Sequence, residues 1–150
     1  MNEIEFWTFT KPTAWILYHC ALEEKIFYSS RPVILAGAGC LDCADKFRTF
    51  VETHSVPVLL TWKAMELLAD DHPLYAGRPG AIGQVAANRI IQECDLLLVL
   101  GAAMNYDQVA YHIENIAPEA VKIVVDVDAV ELQKCPENWI KIHADVAEIL

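Results

Sequence analysis

The sequence predicts an α/β fold, a parallel sheet covered by helices on both faces, and three observations carry that prediction. Short apolar runs rich in Val, Ile and Leu recur along the chain, the fullest being Asp95-Leu-Leu-Leu-Val-Leu100. Runs without polar alternation suit strands buried on both sides. Between them lie stretches of helical length, and strands that alternate with helices require crossover connections and hence a parallel sheet. Glycines stand where the runs end, as in Arg31-Pro-Val-Ile-Leu-Ala-Gly-Ala-Gly-Cys40, where the backbone can turn sharply and a ligand can come close to it.

Taken in order, residues 1–30 form an apolar leader carrying Trp7, Phe9, Trp15, Ile16, Tyr18 and Leu22. A helix from about Thr13 to Phe27 is expected to cover the sheet, with Thr13 as its cap, although Ile16 stands where a capping acid or amide would. So many aromatics also fit a surface that another domain covers. Residues 31–150 then read as one regular domain. Strand one is Pro32–Ala36, followed by the turn Gly37-Ala38-Gly39 and a helix over Asp42–Thr53. That helix start and the turn together suit a phosphate or carboxylate. Strand two is Val56–Leu60, with Pro57 tolerable near a strand start. Trp62–Ala69 reads as a short helix, Asp70–Gly80 as a loop with two prolines and two glycines, and Gly83–Glu93 as a helix. Asp95–Leu100 is the third strand, Tyr106–Asn115 a helix, Val121–Val127 the fourth strand and Ile140–His143 a fifth, and Asp145 caps a last helix.

Composition narrows the function. The 150 residues suit one compact domain, and 55% hydrophobic content fills a core covered on both faces. No apolar run is long enough to span a bilayer. Glu3 and Glu5 near the start, without a basic segment, give no sign of a secretory signal. A formal charge of −10 speaks against nucleic-acid binding, which needs a basic face. Five scattered cysteines suit reduced thiols in a cytoplasm.

Ligands of parallel sheets sit beyond the carboxyl ends of the strands. Gly37–Cys40, Thr61-Trp62, Gly101–Asn105 and Asp126–Asp128 are the segments expected there. A standard NAD site does not follow, because Asp42 takes the place of the third glycine and Thr61-Trp62 that of the ribose-binding acid. Cys40-x-x-Cys43 has no second pair to complete a zinc site, so two small residues on a helical turn are the simpler reading. Asp126-x-Asp128 suits a structural or ribose-type role better than a metal, since too few oxygen ligands accompany it. Asp70-Asp-His72 makes a turn, and the five histidines form no nucleophile–base set.

Several segments occur in a telling order: Val56-Pro-Val, Thr61-Trp-Lys-Ala, Asp71-His-Pro-Leu-Tyr-Ala-Gly-Arg-Pro-Gly80, Ala87-Asn88, Asp95-Leu-Leu-Leu-Val-Leu-Gly101, Val125-Asp-Val-Asp128 and Ala144-Asp145. From Arg31 to Leu150, about four-fifths of the chain, this resembles the central domain of thiamine-diphosphate enzymes of the acetolactate synthase group. The resemblance implies a three-layer, Rossmann-like parallel sheet of the DHS-like NAD/FAD-binding type. It also implies two outer domains that bind thiamine diphosphate and magnesium across a subunit interface. Acetolactate synthases hold a structural FAD in the central domain; some relatives hold an ADP-type ligand there and others nothing. This chain has no Gly-Asp-Gly with a distant Asn for magnesium diphosphate and no glutamate placed to activate thiazolium, so it is not expected to catalyse alone.

Carried onto this sequence, the resemblance gives the cofactor-site candidates Gly37, Ala38, Gly39, Thr61, Trp62, Gly80, Gly83, Gly101, Ala102, Asp126, Asp128 and Asp145. Ile82 replaces a histidine common in the family's glycine loop, and Ala103 replaces the arginine of its Gly-Ala-Arg. The lost fork of donors counts against FAD and puts an ADP-like ligand or an empty crevice ahead of it. The expected role is packing and assembly, with sister domains or a second copy as partners; the alternative is a stand-alone module that binds ADP or FAD. A sirtuin-type deacylase, which also opens on Gly-Ala-Gly, needs a zinc module and a histidine context that the sequence lacks.

Overall fold

The computed structural model describes residues 14–109 and 112–150. Thr13, Trp7 and Phe9 lie outside the described residues. The first helix, α1, spans Ala14–Tyr28 and lays Leu22 and Ile26, one turn apart, on the core. Strand β1 is Pro32–Ala36, as the apolar run predicts. A six-residue 3-10 segment, Ala38–Cys43, follows, and the α-helix α2 runs only from Ala44 to His54. The helix expected from Asp42 therefore starts two residues later, at Ala44, with the 3-10 segment standing between it and the glycine turn. Ser55 ends α2 in the left-handed region (φ 52°, ψ 39°), its N–H bonded to the Val51 carbonyl.

Strand β2 is Val58–Leu60. It begins two residues later than predicted because Pro57 has no N–H to offer the ladder; its carbonyl still accepts from the Ile34 N–H at 3.0 Å. The predicted helix Trp62–Ala69 is reduced to a 3-10 turn, Trp62–Ala64, followed by turns. Ala64, Leu67 and Leu68 are all buried there, and the Leu67 carbonyl accepts from Arg48 Nε at 2.9 Å, so α2 captures a group that a helix would have used itself. The expected loop contains a sixth strand, β3 (Tyr75–Gly77). Helix α3 is Val85–Glu93, β4 Leu96–Leu100 and α4 Tyr106–Val109. The helix predicted over 106–115 is thus broken: a separate 3-10 turn covers Ile113–Asn115. Strand β5 is Val121–Asp126, α5 Ala129–Lys134, β6 Ile140–His143 and α6 Val146–Ile149.

All pairings are parallel and the order is β3-β2-β1-β4-β5-β6. The strands' alternation sorts the core into two layers. Ile34, Leu60, Leu98 and Ile123 point toward α1, α2 and α6, with fully buried Phe47 among them. Val33, Leu35, Val99 and Val124 point toward α3 and α5, with Ile91, Leu132 and Trp139. Helices on both faces of one parallel sheet make the three-layer α/β architecture that the sequence predicts. At the amino edge, Asp95 fastens the start of β1 to that of β4: its carboxylate accepts the Ser30 and Arg31 N–H groups at 2.7 and 2.9 Å. Burial pushes its carboxyl up, but these backbone donors outweigh it and leave Asp95 below its ordinary value.

Candidate functional site

In this strand order the chain leaves β1 and β4 in opposite directions, so the topological switch point lies beyond their carboxyl ends. Gly37-Ala38-Gly39 and Gly101-Ala102 meet there. The contact is backbone on backbone. A Cβ on Gly37 would lie 2.2 Å from the Gly101 carbonyl oxygen and 2.4 Å from Ala102 Cα. A Cβ on Gly101, itself at φ +54°, would lie 2.7 Å from Gly39 Cα. Three donors at the turn are engaged within the fold. Gly37 N–H donates to the Leu100 carbonyl at 2.9 Å, Gly39 N–H to the Gly101 carbonyl at 3.0 Å and Cys40 N–H to the Gly37 carbonyl at 3.1 Å. Close approach therefore accounts for these glycines without a ligand: two main chains pass through the space that side chains would take.

Cys40 and Cys43 are buried beneath this turn, their thiols directed at the Leu100 carbonyl (3.2 Å) and the Cys40 carbonyl (3.5 Å). Burial, the larger cause, and neighbouring negative charge push both thiols up, so neither is poised as a thiolate nucleophile. They read as small core residues on a turn.

Beyond β2, Thr61 is buried and its N–H donates to the Ala36 carbonyl at 3.0 Å. Trp62 follows, 44% exposed. The Arg78 guanidinium lies over its ring, 5.2 Å from the centroid, while Arg78 Nη1 donates to the Tyr75 hydroxyl at 2.8 Å and stands 3.6 Å from Asp70. Sequence reasoning did not single out Arg78; its signal was a cation inside a Gly-Arg-Pro-Gly loop just past an aromatic. The loop itself is held by amides. Asn88 accepts from Gly80 N–H at 2.8 Å and donates to the Gly80 carbonyl at 3.0 Å. The Gln84 side chain accepts from Arg78 N–H at 2.8 Å, and Ala81 N–H reaches the Asp107 carbonyl at 2.8 Å. Gly80 thus sits against α4. Gly83 turns back on its own loop, where a Cβ would meet Pro79, Arg78 and Gly80.

The acidic candidates lie along the β5–β6 part of the rim. Asp126 accepts from Asp128 N–H, Asp128 from Val130 N–H as the cap of α5, and Asp145 from Ala147 N–H as the cap of α6, each at 2.8 Å. Burial pushes the Asp126 carboxyl up. Among the described residues no group of His, Cys, Asp and Glu is arranged to hold a metal ion. The twelve predicted positions all fall on the carboxyl side of the sheet, but the structure divides them: a glycine seam at the centre, an Arg78–Trp62 stack beyond β2, and helix caps beyond β5 and β6.

Comparison with known proteins agrees with this architecture. The family described as thiamine pyrophosphate enzyme, central domain, matches residues 21–150. The chain is 36% identical over 122 residues to acetolactate synthase isozyme 1 large subunit of Escherichia coli, covering 81% of this chain and 22% of that protein. It is 36% identical over 129 residues to a probable acetolactate synthase large subunit of Methanocaldococcus jannaschii, covering 85% and 22%. It is 28% identical over 154 residues to isozyme 2 large subunit of Escherichia coli, covering 99% and 28%. The chain spans between a fifth and three-tenths of the length of these relatives. A parallel three-layer sheet with its switch point at Gly37 and Gly101, together with that match over residues 21–150, places the chain in the thiamine pyrophosphate enzyme central-domain family.

Proposed function

We propose that this chain acts as the non-catalytic central module of an acetolactate synthase-like thiamine diphosphate enzyme, and that its role is packing and assembly. The observation that carries the reading is apolar surface left uncovered by the fold. Trp62 and Met65 stand on the rim beyond β2; Ile82 and Val85, 79% and 86% exposed, stand on the amide-held loop and at the start of α3; Phe27 and Tyr28 stand open at the end of α1. The Phe27 and Tyr28 rings touch edge to face, 5.2 Å between centroids, and contiguous exposed apolar surface marks places where other protein packs. Sister thiamine domains or a second copy of the chain would cover them. Thiamine diphosphate and magnesium belong, on this reading, to the outer domains, as the resemblance implies and as the sequence's lack of a Gly-Asp-Gly with a distant Asn supports. Among those residues no helix is long and apolar enough to cross a membrane.

Light scattering on the 150-residue chain, alone and mixed with separately produced outer domains of an acetolactate synthase, tests the reading. A dimer, or a mixed complex, is the expected result. A chain that stays monomeric and takes up neither outer domain counts against it, as does turnover of pyruvate by the chain alone with thiamine diphosphate and magnesium.

A further inference from the structure

FAD or ADP, implied by the resemblance, would need from this rim open donors for two phosphates and a cation to balance them. The residues present do not fit that need. At the glycine turn the Gly37, Gly39 and Cys40 N–H groups all have partners within the chain. The α-helical turn that would lend its N-terminus begins at Ala44, beyond a 3-10 segment. The position after Gly101-Ala102 is Ala103, with no charge to offer. The β5–β6 side presents Asp126, Asp128 and Asp145, whose sign repels a pyrophosphate.

Arg78 is the one guanidinium in the loop that follows β3, and its stack and one of its nitrogens are already committed. Its flat face lies on Trp62 and Nη1 holds the Tyr75 hydroxyl and faces Asp70, while Nε is shut off from solvent, buried without a hydrogen-bond partner. Trp62 itself stands two residues past the end of β2, close to where dinucleotide-binding sheets place the acid that holds a ribose. We propose that the rim is closed from within: Arg78 straps the loop after β3 onto the indole at the end of β2, and the crevice takes no pyrophosphate of FAD or ADP. This goes beyond the assembly reading, and its test needs no second domain.

Isothermal titration of the 150-residue chain with ADP and with FAD, each carried to about 1 mM, is expected to give no saturable heat; saturable binding of either overturns the proposal. The strap is read separately by acrylamide quenching of Trp62, taken as the difference between Arg78→Met and Arg78→Met/Trp62→Phe chains and compared with the same difference in the parent. Trp62 is 44% exposed with the guanidinium over its ring, so uncovering it should raise its quenching about twofold. Arg78→Met keeps the length of the side chain, and circular dichroism checks that it folds. Asp70→Asn, at an exposed position, should move quenching the same way by less. Unchanged quenching in folded Arg78→Met, or in Asp70→Asn if the first does not fold, also overturns the proposal.

Discussion

Gly37→Ala separates the two reasons a glycine could stand at the switch point. If the glycine admits a ligand, a methyl group there leaves the free protein's stability nearly unchanged. If it admits the neighbouring main chain, the methyl strikes that chain. The structure gives the size of the collision. The new carbon would lie 2.2 Å from the Gly101 oxygen, 2.4 Å from Ala102 Cα and 2.7 Å from Ala102 Cβ. Non-bonded carbon contacts settle near 3.5 Å, so the carboxyl ends of β1 and β4 must part by about 1 Å. None of the struck atoms is the far end of a flexible side chain. Overpacking costs about 1–3 kcal/mol, and this case belongs at the upper end. The Gly37–Leu100 and Gly39–Gly101 hydrogen bonds are stretched as well, at about 1 kcal/mol each. The backbone at Gly37 is extended (φ −112°, ψ −173°) and suits alanine, and the stiffer unfolded chain returns about 0.4–1 kcal/mol. The net loss is about 4 kcal/mol, or a fall of about 8–16 °C in Tm for a domain of this size. Urea unfolding followed by circular dichroism and by the fluorescence of buried Trp139 measures it. A loss under about 0.5 kcal/mol would refute the close-approach account.

Other substitutions probe the surrounding features. Ser55→Gly relieves a left-handed residue at the exposed end of α2 and should raise the unfolding free energy measured in urea by about 0.5–1 kcal/mol. Asp145→Ala removes the cap bond to Ala147 N–H and should cost about 1 kcal/mol, with faster hydrogen exchange at Ala147. Asp126→Asn keeps an acceptor for Asp128 N–H and removes a carboxylate that burial disfavours. A raised carboxyl penalises the folded state above its folded pKa, so the variant should gain stability at pH 7 and lose that gain as pH falls through that pKa and both chains become neutral there. Asp95 has the opposite sign: its lowered carboxyl gives stability present above the unfolded value of about 3.9 and lost as pH falls further. Thermal scans of Asp95→Asn against the parent from pH 7 down to acid should therefore show a deficit that narrows only in acid.

The strands were legible where burial alone shapes the pattern. Pro32–Ala36 and the Leu96–Leu100 core of the third run stand as read, because a strand buried on both faces needs no alternation to mark it. What was hidden depended on partners distant in sequence. Tyr75–Gly77 lies between Pro73 and Pro79 and includes a glycine at φ +104°; nothing local calls it a strand, and it forms because β2 has an open edge to pair. Lys-Ala-Met-Glu-Leu-Leu after Trp62 has helical propensity, yet α2 takes the Leu67 carbonyl and buries Ala64, Leu67 and Leu68 together. At the rim the sequence located the bends but not their use. Glycine spacing is the same whether a ligand or another main chain occupies the gap, and only the meeting of residues from β1 and β4 tells the two apart. Arg78 was missed for a related reason: its partners Trp62, Tyr75 and Asp70 converge only when β3 docks.

The strand order also governs how the molecule is born. One half of the sheet, β3-β2-β1, and the other, β4-β5-β6, are each continuous in sequence. The seam joins residues as far apart as Ser30 and Asp95, 65 positions along the chain. A ribosome therefore releases β1 well before its neighbour β4 exists, and through that interval Val33–Ala36 presents a bare, wholly apolar edge of the kind that pairs with whatever strand it meets. The middle of the finished sheet is the exposed flank of the nascent one, and it is there that a chaperone would have most to shield.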